Sequence, residues 1–113
     1  MDKIDLYRSI IKEIFADYAK TRIPAGNYDP GYQLIFDEPN GHYLLYVNTW
    51  RELKRLHFCV FHIDIINEKL WVQEDATDFD LVGELELKGI PKTDIVLGFH
   101  APYKRPFTDY AIA

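Results

Sequence analysis

HIDIINEKLWVQEDATD, residues 62–78, decides the fold. Apolar and polar residues alternate on both sides of Asn67 and Glu68, the two-residue period of a strand that buries one face. A turn at Asn67 and Glu68 makes the stretch a hairpin in which Ile66 pairs with Lys69, Asp64 faces Trp71, His62 faces Gln73 and Val60 faces Asp75. Cys59, Phe61, Ile63, Ile65, Leu70 and Val72 then form the core side. His62, Asp64, Lys69, Trp71, Gln73 and Asp75 form a polar side carrying one large aromatic. A slip of one residue would turn the charges inward, so burial selects this register although Asn-Glu is an imperfect turn.

Upstream, EPNG at residues 38–41 separates the β-rich runs YQLIFD (32–37) and HYLLYVNTW (42–50). That pattern predicts a second hairpin with Leu34, Phe36, Tyr43, Leu45 and Val47 on the core face. RELKR at 51–55 turns the chain into a third strand over 56–66. Residues 2–21 carry Ile4, Tyr7, Ile11, Ile14, Phe15 and Tyr18 at steps of three and four, which predicts an amphipathic helix started by Asp2 and ended before Pro24 and Gly26. Downstream, TDFD at 77–80 reads as a capping-box variant, with Thr77 accepting from the first turn and Asp80 reaching back. The helix it opens runs to about Lys88, where Gly89 and Ile90-Pro91 supply a left-handed cap and a stop. DIVLGF (94–99) reads as a buried strand, and the order strand, helix, strand permits a parallel crossover pairing. From Ala101, Pro102 and Pro106 leave the tail irregular as far as about Phe107. The expected fold is α+β: an N-terminal helix, an antiparallel sheet of about four strands, a second helix, a further strand and a C-terminal tail, in a single domain over 1–113.

A chain of 113 residues that is 48% hydrophobic suffices for one core. No apolar run approaches the roughly 20 residues of a membrane helix, and the N-terminus opens on charged residues, so a cytoplasmic protein without membrane contact is expected. Cys59 is the only cysteine, flanked by Phe58, Val60 and Phe61, and is expected to be a core thiol. The net charge of -5 opposes nucleic-acid binding by the chain on its own. Residues 64–88 hold eight acids against Lys69 and Lys88, a solvated face or a docking surface for a basic partner.

His62 and Asp64, with Gln73 and Asp75 opposite, have residue types that hold a divalent cation or pair a general base with its orienter. The same spacing arises on any half-wet strand, and the sequence identifies no third ligand. His42, His57 and His100 are scattered with no metal-finger spacing to Cys59, so neither a metal nor a cofactor is expected. The six glycines form no phosphate loop, and the one serine, Ser9, sits in the first helix. A protein-binding face is favoured, because aromatics such as Trp71 on a polar surface concentrate at interface centres. Lys104, Arg105 and Thr108, beside Tyr103 and Phe107, make a small basic patch, open to a phosphate or carboxylate contact, or else a tail packed by its aromatics.

The pattern of His62 and Asp64, then Lys69, Trp71, Gln73, Asp75 and Thr77, then Pro91 and Asp94, then Arg105 and Thr108, resembles the XisI-like family of fdxN-element excision controlling factors of cyanobacteria. The resemblance extends to the YRSIIKEIFADYA helix at 7–19, with Asn67-Glu68 replacing the more usual Asp-Gly turn. It implies control of programmed DNA excision in heterocyst formation, alongside a site-specific recombinase and a companion XisH-like, nuclease-type factor. It carries no catalytic residues. The expected role is a non-enzymatic regulatory factor that docks its polar sheet face onto that companion. The rival readings are an antidote-like inhibitor of a nuclease partner, a metal-dependent hydrolase or nuclease subunit using His62, Asp64 and Asp75, and a self-associating homo-oligomer.

Overall fold

The computed structural model describes residues 2–21 and 31–113. The first helix, α1, spans Lys3–Thr21 and buries Tyr7, Ile10, Ile11, Ile14 and Phe15, the stripe that the three-and-four spacing demands. Asp2 starts it: its carbonyl accepts from Leu6 N and its carboxylate from Ile4 N. Pro24 and Gly26, the expected terminators, lie outside the described residues.

Five strands follow: β1 (Tyr32–Asp37), β2 (His42–Arg51), β3 (Lys54–Ile66), β4 (Lys69–Asp75) and β5 (Ile95–Leu97). They lie side by side in chain order, the first four antiparallel and β5 parallel to β4, so the crossover expected from the strand–helix–strand order is present. Gly41 closes the first hairpin at φ 73°, where a side chain would crowd the Ile65 carbonyl at 2.9 Å. Phe36, Tyr43, Leu45 and Val47 face the core as expected. Leu34 shares their face but remains 43% exposed, because β1 is an edge strand. Strand β3 begins at Lys54, earlier than the polar run at 51–55 suggested, since the chain reverses tightly with Glu52 at φ 57°.

Asn67 and Glu68 both adopt left-handed backbone, φ 51° and 64°, the geometry of a type I′ turn. Pairing from Ile66 with Lys69 back to Ile63 with Val72 follows the expected register. Two bulges then intervene. His62 pairs with Glu74 and Phe61 with Asp75, which leaves Gln73 as an extra residue on β4. Across the other edge, Leu45 pairs with Phe61 but Tyr46 with Cys59, which leaves Val60 as an extra residue on β3. An extra residue reverses the alternation beyond it. Strict alternation therefore misplaced two groups. Cys59 is not a core thiol; it pairs with Tyr46 on the sheet's other face and is only half-buried, while Val60 is 2% exposed. Asp75 does not face Val60 or join His62; it shares the core side with Phe61.

The second helix, α2, spans Leu81–Leu87. Its N-cap is Asp80, which accepts from Gly83 N at 2.9 Å, and not Thr77, whose hydroxyl accepts from Phe79 N in the preceding turn. At the other end Gly89 N donates to Glu86 O and Ile90 N to Leu85 O, the paired bonds of a Schellman motif, with Gly89 at φ 102° and Ile90 buried. Both helices cover one face of the sheet, where Phe15, Tyr18, Phe61 and Phe79 form an aromatic cluster with Phe61 at its centre. Strand β5 is shorter than 94–99, and Phe99 beyond it is half-exposed. The tail is more regular than its prolines suggested: Pro102–Phe107 form a 3₁₀ helix, with Pro102 in its first turn where its fixed φ is favourable. Ala111 then bridges to Val96 and donates to the Ile95 carbonyl. Among the described residues no helix is long and apolar enough to cross a membrane.

Candidate functional site on the outer sheet face

The face turned away from both helices carries the chemistry. Register aligns one row across all five strands: Asp37, His42, Asp64, Trp71 and Val96. A second row holds Ile35, Leu44, His62 and Glu74. Asp64, in the middle of the first row, is linked to the second through His62. Its Oδ1 receives His42 Nδ1 at 2.7 Å and His62 Nε2 at 2.8 Å, and its Oδ2 accepts from Gln73 Nε2 at 3.2 Å.

Asp64 is the buried acid of the sheet, 9% exposed, and its three partners answer the cost of placing a carboxylate there. Burial pushes its carboxyl up, but the hydrogen bonds from His42, His62 and Gln73 outweigh that and hold it below the usual carboxylate range. The hydrogen bond to Asp64 raises the His42 imidazole above its ordinary value, against the opposing pull of desolvation. The Gln73 amide occupies space that a side chain on residue 98 would take: a Cβ at Gly98 would collide with Gln73 Oε1 and press on the Val72 carbonyl at 3.1 Å. The β4 bulge and Gly98 together let Gln73 turn onto Asp64.

Of the residues singled out from sequence, His62, Asp64 and Gln73 are brought together. Trp71 adjoins them in the row but is not a bare aromatic, because the Arg105 guanidinium lies 4.9 Å from its ring centre. Lys69 is apart, donating to the Ala113 carbonyl at the end of the chain. Asp75 is on the opposite side, where burial raises its carboxyl and Thr77 donates to it. The basic patch is also taken apart. Arg105 covers Trp71, Lys104 stays exposed near Tyr103, and the Thr108 hydroxyl closes its own turn on the Arg105 carbonyl at 2.9 Å. Tyr103 and Phe107 do not pack the tail down, being 72% and 88% exposed; Tyr110 does so by donating to Glu86. The acids of 64–88 are dispersed likewise, with Asp80 capping α2 and Glu86 tied to Tyr110 and Lys92.

His42 was missed. It is not scattered, as its position in the chain suggested, but directly opposite Asp64. The turn between β2 and β3 aligns 42 with 64 only through one bulge, and a bulge leaves no mark that periodicity detects. The arrangement offers two imidazole nitrogens and a carboxylate oxygen within 4.8 Å of one another, a donor set able to bind a cation, exchange protons or present hydrogen bonds to a docked protein.

No curated protein matches the chain in sequence. Two crystal structures from Anabaena variabilis ATCC 29413 are similar to it throughout. A XisI-like protein shares 37% identity with a TM-score of 0.86, covering 99% of this chain and 100% of its own. The fdxN element excision controlling factor XisI shares 39% identity with a TM-score of 0.82, over the same 99% and 100%. The sequence profile described as XisI protein matches residues 1–112. With the match extending over nearly every residue and the fold shared at this level of identity, the chain belongs to the XisI family.

Proposed function

We propose that this protein is a non-enzymatic regulatory factor in the programmed excision of a DNA element, acting by docking its outer sheet face onto a companion XisH-like excision factor or onto the recombinase. The reading of the process is supported by the likeness to the fdxN element excision controlling factor. The observation that carries the docking mode is the row Asp37, His42, Asp64 and Trp71, on the face that neither helix covers. Beside it Ile35 is 45% exposed, so the face combines hydrogen-bonding groups with an apolar contact, the composition of an interface. The net charge of -5 favours a protein over bare DNA as the direct contact.

The test is co-purification with the tagged companion factor. Wild type is retained, whereas His62→Ala, Ile35→Asp and Trp71→Ala variants with unchanged circular dichroism are lost. Retention of all three folded variants would refute docking through this face. Rescue of companion toxicity by co-expression would refine the role to that of an antidote.

A further inference from the structure

Three donor atoms from adjacent strands converge on the outer face: His42 Nδ1, His62 Nε2 and Asp64 Oδ1. We propose that they form a binding site for one divalent transition-metal ion of the zinc class, with Gln73 as the residue that positions the carboxylate. The inference stands apart from the docking reading, since it concerns the chain on its own.

Donor chemistry selects the ion. Two imidazoles and one carboxylate suit zinc, cobalt or nickel, whereas calcium and magnesium require oxygen-rich sets. Both imidazole nitrogens address the same carboxylate oxygen, at 2.7 and 2.8 Å, although a purely structural pair of histidines could have divided between two. The other oxygen is held by Gln73 at 3.2 Å. An amide on the non-ligating oxygen is how a ligand carboxylate is oriented in metal sites. Zinc bonds of about 2.0–2.1 Å place tetrahedral donors about 3.3 Å apart, so the two imidazoles withdraw from Asp64 by about 0.5 Å while their own nitrogens, within 4.8 Å of each other, close to that spacing. His42 has room to do so, its side chain being 48% exposed, and that of His62 is 31% exposed. Three protein donors leave a coordination position for water, the composition of an open site rather than a closed structural one. Binding requires each imidazole neutral, in the tautomer with its lone pair on the ligating nitrogen, so protons compete with the metal and affinity falls as pH is lowered.

The experiment is titration of Co2+ into untagged, chelator-treated protein, followed by the visible d–d absorption, with Zn2+ then added as competitor. One equivalent of Co2+ is expected to saturate the band, Zn2+ to abolish it, and Mg2+ to leave it unchanged. His42→Ala and His62→Ala should each weaken Co2+ binding by more than tenfold, and Gln73→Leu by about tenfold, the usual effect of a residue that orients a ligand. His42 is half-exposed, so its variant retains the fold, which circular dichroism verifies. A band that never saturates, or one that is unchanged in the His42→Ala/His62→Ala double variant, overturns the site.

Discussion

The Arg105 guanidinium carbon lies 4.9 Å from the centre of the Trp71 indole. This contact joins two segments more than thirty positions apart and lays the C-terminal tail over the outer face of β4. A guanidinium over an indole contributes about 0.5–2 kcal/mol, depending on how far it is desolvated. Arg105→Ala should therefore lower stability by about 1 kcal/mol. It should also shift Trp71 emission to the red in a Trp50→Phe background, which removes the signal of the exposed second tryptophan. Emission that does not move would mean that the tail does not cover the ring in solution.

Most of the fold was legible because period and turn chemistry agreed. The α1 stripe, the EPNG hairpin, the Gly89 cap and the inward set Phe61, Ile63, Leu70 and Val72 all follow from burial of an apolar face. What escaped was set by single extra residues. Val60 and Gln73 each add one position to a strand, and periodicity assumes that none is added. Cys59 and Asp75 changed sides for that reason, and His42 came to Asp64 for the same one. The tail was misread through its prolines, which exclude an α-helix but are compatible with a 3₁₀ turn. At the candidate site, His62, Asp64 and Gln73 were readable as neighbours, whereas the partner from β2 depended on a register that the sequence does not spell out.

The turn that fixed the register carries a cost of its own. Asn tolerates left-handed backbone, but Glu68 at φ 64° has a Cβ in a conformation that glycine adopts without penalty. Glu68→Gly is expected to stabilise the protein by about 0.5–1 kcal/mol, since relief of strain exceeds the added freedom of the unfolded chain. Urea midpoints at constant m-value provide the measurement. A lower midpoint for the variant would show that Glu68 makes a contact worth more than its strain.

Tyr7 donates to Asp94 Oδ2 at 2.5 Å, and Lys3 pairs with the same oxygen at 2.9 Å, tying α1 to the start of β5. Burial pushes the Asp94 carboxyl up, but the Tyr7 and Lys3 hydrogen bonds outweigh it, so its folded value lies below the ordinary one. The stabilisation is then fully present above pH 3.8 and fades as pH falls through the folded value. The Tyr7 hydroxyl is raised by its burial and by Asp94, so its contribution persists below pH 10 and declines at higher pH. Tyr7→Phe should cost about 1–2 kcal/mol at neutral pH, the effect of removing a donor from a charged acceptor. Asp94→Asn should flatten the acid limb of stability against pH. An acid limb of unchanged slope in Asp94→Asn would assign acid sensitivity to other carboxylates.

Gly98 tests whether Gln73 is held on Asp64 by packing. A methyl group at residue 98 would overlap Gln73 Oε1 and lie 3.1 Å from the Val72 carbonyl. Overpacking of this kind typically costs about 1–3 kcal/mol. The flexible amide has somewhere to go, but only by leaving the Asp64 oxygen that it now donates to at 3.2 Å. Gln73→Ala removes the obstacle and so should absorb most of the penalty. The double variant Gly98→Ala/Gln73→Ala is expected to be more stable than the sum of the single losses by about 1 kcal/mol, a coupling measurable from four urea curves. Simple additivity would mean that the Val72 carbonyl, and not Gln73, is what residue 98 must avoid; the coupling expected here instead ties the Gln73 amide to the close approach of β5 and β4.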